Sequence, residues 1–371
     1  MLRKRLLGSG RVMSTVALAA TVLLATWMGF ESGGYFAGEW TLVAFVLSSL
    51  MLVLSVTVGV SGGATRSWYG VAAIALFALY ASWTLASLLW SPNRGDAWVG
   101  GGQTLVYLIS FWVALGLFGL GASRRWVLAA SAIGPAVVAA FTLWSLVPRV
   151  EELFDNNRLI GTVGYFNGEA AFLLVPFWIS VYLAGSRFVH PILRGLVLAG
   201  ATLCVEVAVL TQSRGAMVAM ILSLPVFFLV SGQRLRGFIA LAPVVVAVLF
   251  AFPELNDVYL TLLNPGSPEA PLERAISAVW PTVAATGVYG LVWGFVDWVW
   301  RPPALVAQVA GGIALAASMV VLAVGLSMAT DRVGNLAVWG EQKWEAFKND
   351  DRTGQEQSRY LSASGSGRYT L

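Results

Sequence analysis

The chain has 371 residues, 58% of them apolar and only 11% charged, with a mean hydropathy of +0.76 and a net charge of +4. A soluble domain carries about 25% charged residues, so this chain cannot clothe a water-facing surface of ordinary size, and no basic surface patch for nucleic acid emerges. One cysteine, Cys204, excludes an internal disulfide, and one histidine, His190, argues against a protein-built zinc or haem site.

The apolar material comes in runs near the roughly 20 residues that a helix needs to cross a bilayer. In lipid every backbone polar group must be satisfied within the protein, so long apolar runs mean helices. The alternating ten-residue pattern of a membrane barrel is not present. The opening stretch, Met1 to Phe30, has the layout of a signal peptide: Arg3, Lys4, Arg5 and Arg11, then an apolar run. That run is long for a signal peptide and more spans follow, so it reads as an uncleaved first span.

Eleven spans are predicted, at 12–30, 41–61, 68–90, 104–121, 126–147, 169–186, 192–211, 215–231, 237–253, 276–299 and 304–329. The connectors carry turn residues such as Gly62-Gly63, Ser91-Pro92-Asn93, Pro148, Gly232, Pro265-Gly266 and Pro302-Pro303. The expected fold is therefore an all-α, polytopic transmembrane helix bundle. It divides into a membrane domain over 1–330 and an extracytoplasmic loop over 331–371.

Charge supports the alternation. With the N-terminus in the cytoplasm, the inner segments hold Arg3, Lys4, Arg5, Arg11, Arg66, Arg124, Arg125, Arg187, Arg194, Arg234, Arg236 and Arg301. Their one acid is Asp297, at a helix end. The outer segments hold Glu31, Glu39, Asp96, Glu151, Glu152, Asp155, Glu254, Asp257, Glu269, Glu273 and the acids after Thr330. Short loops rich in arginine and lysine stay inside, and a missed span would scramble this sorting. The longer connectors, 91–103, 148–168, 254–275 and 330–371, all fall outside, where chemistry is expected. Residues 335–348 read either as an amphipathic helix on the bilayer, with Trp339, Trp344 and Phe347 toward lipid, or as a solvated juxtamembrane helix.

Three stretches could carry chemistry. Thr211-Gln212-Ser213-Arg214-Gly215 separates two apolar runs and reads as an outer hairpin turn, with Gly215 easing the bend. Arg214 is either an interfacial anchor for lipid phosphates or a guanidinium aimed at a phosphate or pyrophosphate. The loop from Arg158 to Glu169 (RLIGTVGYFNGE) has three glycines that permit tight turns and an anion nest of backbone N–H groups. Glu169 opens a helix there, as a cap or as a carboxylate contacting an acceptor hydroxyl. The third is Ser366-Gly367-Arg368-Tyr369. Within the spans lie Glu206, read as neutral or hydrogen-bonded and structural, and Asp297. Cys204 reads as packed or lipid-facing filler.

These three stretches, in this order and on this face, resemble the O-antigen ligase and polymerase superfamily, polytopic transferases of polyprenyl-linked glycans. The loop from Arg158 to Glu169 is similar to that family's G-T-hydrophobic-x-N-x-N segment. The resemblance implies a bacterial multi-pass protein of the cytoplasmic membrane and an inverting, metal-independent glycosyl transfer without a cofactor. The donor is then an undecaprenyl-pyrophosphate-linked glycan, the acceptor a glycan or lipid, and membrane lipids are the other partners. It implies Arg214 and Arg368 as catalytic clamps on the pyrophosphate, and Arg158, Asn167 and Glu169 as substrate-binding residues. The chain departs from the family in three respects. It has no outer histidine to activate the acceptor, and no Pro-x-x-Gly-x-Gly-like segment after Arg368. Glu169 also replaces the second asparagine. The expectation is an N-terminal part of a longer transferase, catalytically incomplete as it stands.

A transporter or flippase of a lipid-linked or small polar substrate is the competing reading. It calls for inverted repeats and broken helices, and glycine and proline in the fifth and eighth spans leave room for breaks. No convincing repeat is found. A non-enzymatic membrane scaffold is a third reading.

Overall fold

The computed structural model describes residues 16, 18–34, 36–58, 68–119, 124–155, 157–262, 269–299 and 303–331. Arg368, the rest of the 331–371 loop after Asp331, and the 335–348 segment lie outside them. Among the described residues the fold is all-α apart from one hairpin of two two-residue strands. Among the described residues seven helical segments are long and apolar enough to cross a membrane: Trp68–Leu89, Arg94–Leu115, Val127–Ser145, Phe166–Gly185, Pro191–Leu210, Arg234–Leu262 and Glu269–Val299. Leu18–Phe30, Gly38–Leu52, Arg214–Val230 and Leu305–Val320 are shorter apolar helices. Large apolar side chains such as Phe45, Trp68, Leu79, Leu249 and Phe250 stand exposed along them. Water would penalise such a surface, whereas hydrocarbon accepts it, so the chain is a membrane-embedded protein.

The chain divides into two compact units, Met1–Gly134 and Pro135–Leu371, a division that composition alone did not announce within 1–330. In the first unit, α1 (Leu18–Phe30), α2 (Ala37–Val58), α3 (Trp68–Ala86) and α4 (Arg94–Gly119) precede the start of α5 (Arg124–Ser145). Val43, Leu47 and Val106 form a small core against Trp27, Met28 and Trp40. The connector expected over 91–103 is mostly helix, because Asn93 starts α4 early. Its Oδ1 accepts from the N–H groups of Gly95 (3.1 Å) and Asp96 (3.3 Å), and its Nδ2 donates to Asp96 (2.7 Å).

The second unit contains the rest of α5, the turn α6 (Val150–Leu153), and the hairpin β1 (Phe154–Asp155) and β2 (Arg158–Leu159). It continues with α7 (Phe166–Leu174), α8 (Phe177–Gly185), α9 (Pro191–Leu210), α10 (Arg214–Val230), α11 (Arg234–Leu262), α12 (Glu269–Val299) and α13 (Ala304–Asp331). The predicted sixth span is interrupted at Val175-Pro176. Pro176 has no N–H to give and its ring crowds the preceding turn. The breaks allowed for in the fifth and eighth spans do not occur: Pro135 and Pro225 lie inside continuous helices. The connector expected over 254–275 is also largely helical. Leu255, Val258 and Tyr259 extend the buried stripe of α11, and Leu272, Ala275 and Val279 that of α12.

Helix α9 is the axis of this unit and runs antiparallel to α12. Their backbones meet through small residues: a Cβ on Gly290 would sit 2.9 Å from the Arg194 carbonyl oxygen, and one on Gly294 2.7 Å from Pro191 Cα. Gly195 faces Gly287 in the same way. Close packing of this kind gives apolar helices their attraction in lipid. Near the C-terminal end of α9 Thr282 Oγ1 donates to Glu206 Oε2 at 3.0 Å, so Glu206 is buried and hydrogen-bonded. Cys204 is packed into the core with Leu143, Leu173 and Val207 rather than facing lipid.

Candidate functional site

The site is assembled where α9 ends and α10 begins. Thr211 closes α9, its hydroxyl donating to the Ala208 carbonyl (2.6 Å). Gln212 then adopts a left-handed conformation with φ of 51°, which reverses the chain. Here the structure corrects the sequence reading. The bend falls on Gln212, whereas Gly215 lies within the first turn of α10, where an added Cβ would meet nothing within 4 Å. Left-handed backbone is uncommon outside glycine, and it persists at Gln212 because the surroundings hold it. The Gln212 side chain donates to the Val209 carbonyl (3.3 Å), and its backbone carbonyl accepts from Arg158 (3.4 Å).

Arg158 reaches this turn from β2. Its Nε donates to the Thr211 carbonyl at 3.0 Å, and its guanidinium lies 3.2 Å from the centre of the Phe166 ring. The side chain is only 3% exposed. A planar guanidinium suits this double duty, because its edge donates in fixed directions while its face stacks on an aromatic ring. The hairpin presents Arg158 through the pairings Phe154 with Leu159 and Asp155 with Arg158.

A second tie joins the same two segments. Ser213 Oγ donates to Asn167 Oδ1 at 2.8 Å and accepts from the Ala216 N–H at 3.4 Å, so one hydroxyl both caps α10 and holds the start of α7. Asn167 in turn donates to the Tyr165 hydroxyl (2.8 Å). Arg214 follows as the first residue of α10, half-buried, at a helix end whose dipole favours anions.

The glycine loop folds around Glu169. Gly161 and Gly164 take φ of 59° and 76°, the left-handed values their lack of a side chain permits. Gly168 lies inside α7. The expected anion nest is filled from within: the Val163 N–H donates to Glu169 Oε2 at 3.1 Å. A Cβ on Gly161 would collide with the same carboxyl group. Glu169 is fully buried, and its Oε1 has no hydrogen-bond partner among the described residues.

The structure thus brings Arg158, Asn167, Glu169 and Arg214 into one region, and Arg368 lies outside the described residues. Sequence reasoning missed Phe166 as the surface under Arg158. It also missed Ser213 as the joint, although a serine just before an apolar helical run is a cap signal. Among the described residues no group of three or more histidine, cysteine or acidic side chains is placed to hold a metal. No protein-family model, curated protein or solved structure matches the chain, so the reading of this site rests on its own chemistry.

Proposed function

We propose that this protein is an eleven-span bacterial cytoplasmic-membrane protein with a cytoplasmic N-terminus. In this reading it transfers a glycan from undecaprenyl pyrophosphate at the outer face, as an O-antigen ligase or polymerase does. The observation that carries the reading is the joining of two motif segments far apart in sequence. Arg158 holds the Thr211 and Gln212 carbonyls, and Asn167 holds Ser213, which sets Arg214 at the start of α10. The acceptor, a glycan or lipid hydroxyl, forms the new bond to the anomeric carbon as the bond from that carbon to the pyrophosphate oxygen breaks, and the hydroxyl proton passes to the departing pyrophosphate or to water. Arg214, together with Arg368, stabilises the charge gathering on the departing pyrophosphate. With its Nε and Nη2 donating to backbone carbonyls, Arg158 acts by fixing the turn that presents Arg214. Asn167 and Glu169 shape the same loop.

The test is transfer of polyprenyl-pyrophosphate-linked glycan to acceptor in membranes holding the protein expressed from its complete gene. Arg214→Ala and Arg214→Lys should each lose activity by about a hundredfold while the protein stays folded, the loss typical of removing one preorganised donor to developing charge. Activity equal to wild type in both variants would make Arg214 an interfacial anchor and end the clamp assignment.

The break of the sixth span at Val175-Pro176 favours a second reading, transport or flipping, because broken helices line transporter cavities. Movement of a labelled lipid-linked substrate across proteoliposomes without any transfer product would select it.

A further inference from the structure

At the opposite end of α9 lies a second concentration of charge that the proposed transfer does not use. Asp297, 1% exposed near the end of α12, meets three guanidiniums: Arg194 Nη1 at 3.1 Å, Arg236 Nη2 at 3.2 Å and Arg187 Nε at 3.4 Å. Arg194 is itself 2% exposed and also donates to the Val189 carbonyl (3.0 Å), so it and Asp297 form the buried part of the cluster. Arg187 and Arg236 keep 30% and 23% of their side-chain surface open. Arg234 adds a fourth cation while its Nε donates to the Phe228 carbonyl at the end of α10 (2.8 Å).

Three guanidiniums therefore surround one carboxylate, Arg234 stands beside them, and the surplus of positive charge lines a cavity. It holds about 400 Å³, within the range of small-ligand sites, and is walled by Arg187, Arg234, Arg236, Gln233 and Gln308, with no acidic residue in its lining among the described residues. The apolar side chains flanking it are open: Val230 at the end of α10 is 82% exposed and Leu305 at the start of α13 71%. A cationic, amide-lined cavity beside exposed apolar helix ends offers a place for a phosphate and a surface for acyl chains.

We propose that this cavity binds the headgroup phosphate of an anionic phospholipid, with the acyl chains lying along α10 and α13. The guanidinium forks of Arg187 and Arg236 are held by Asp297 in fixed positions, which lowers the ordering cost of gripping phosphate oxygens. Phosphate is the shared chemistry of lipid headgroups and soluble anions. The apolar rim selects the lipid.

The experiment uses the purified protein in phosphatidylcholine nanodiscs. Retention of phosphatidylglycerol is compared with that of phosphatidylcholine by native mass spectrometry, and thermal stability is followed with each lipid and with inorganic phosphate or pyrophosphate. Wild type should retain phosphatidylglycerol preferentially. Gln308→Glu, which places an anion in the cavity without touching the Asp297 pairs, should weaken that preference about fivefold, the effect of about one surface charge on an anionic lipid. Arg187→Gln should weaken it similarly. Equal retention of the two lipids by wild type, or an undiminished preference in Gln308→Glu, overturns the proposal. Stabilisation by inorganic phosphate or pyrophosphate with no lipid preference overturns the lipid assignment. Glycan transfer is not the readout, so failure here is distinct from failure of the transferase reading.

Discussion

The contacts of Arg158 include two backbone carbonyls and one ring face. Replacing it with methionine fills similar volume but leaves the carbonyls of Thr211 and Gln212, both fully buried residues, without that donor. We expect a loss of about 2–3 kcal/mol, because a buried polar group left unpaired costs its full desolvation. Arg158→Lys should recover less than half of it, since an ammonium cannot donate along two fixed directions and also stack. Denaturant unfolding in detergent measures both. The glycines permit a sharper comparison. Gly161→Ala and Gly164→Ala each place a side chain in left-handed backbone, at about 1–2 kcal/mol. Only at Gly161 does the new Cβ also strike Glu169, whereas Gly164 has open space. Gly161→Ala should therefore be the more damaging of the two, and Glu169→Ala should close the gap between them. A gap that survives Glu169→Ala would mean the carboxyl is not what confines Gly161.

The α9–α12 pair holds the second unit together where the backbones approach most closely. Gly290→Val would push a branched side chain into the Arg194 carbonyl and Gly195, and overpacking of this kind costs about 1–3 kcal/mol. Because Arg194 and Asp297 sit on the same two helices, that substitution should also loosen their ion pair. Gly215→Ala makes the contrast: it lies in a helical turn with open surroundings, and should be neutral or stabilising by up to about 1 kcal/mol. Thermal unfolding of the two variants side by side checks the pair. The ends of these helices also show how local chemistry sets an element. His190 caps α9 by accepting from the Ile192 N–H (3.3 Å), and Pro191 at the first helical position needs no donor partner. This is a structural task for the lone histidine.

For the molecule as a whole, the sorting of arginine from acidic connectors predicts opposite exposure for the two ends of α9. The single native cysteine makes this testable. In a Cys204→Ala background, Glu151→Cys should react with a membrane-impermeant maleimide from outside intact cells, and Gly232→Cys only after permeabilisation. Both positions are exposed on the protein surface. Labelling of both from one side would break the alternation on which the outer-face assignment of Arg214 depends. The ionic tie of Arg274 to Glu254 (3.4 Å) and Asp257 belongs to the Glu151 end, and being exposed it should contribute little stability.

Composition and run length alone determined that this is a helical membrane protein, because the bilayer imposes the same length and apolarity on every helix that crosses it. Local signals were present as well: Ser213 before an apolar run and Asn93 before Asp96 went unread as caps, whereas the glycines of the 158–169 loop were read as turn residues, which Gly161 and Gly164 are. The tertiary structure decided what lies beyond a helical turn. It assigned Arg158 to carbonyls 53 and 54 positions away, paired Arg194 with Asp297 across 103 positions, and turned the Glu169 carboxyl inward onto Val163. It moved the bend from Gly215 to Gln212, kept α5 and α10 continuous through Pro135 and Pro225, and interrupted the sixth span at Pro176 instead. Proline inside an apolar helix is ambiguous until its neighbours are known, since packing can either accommodate the missing hydrogen bond or leave the helix to part. Periodicity records which face of a helix is apolar, but not which helix that face will meet.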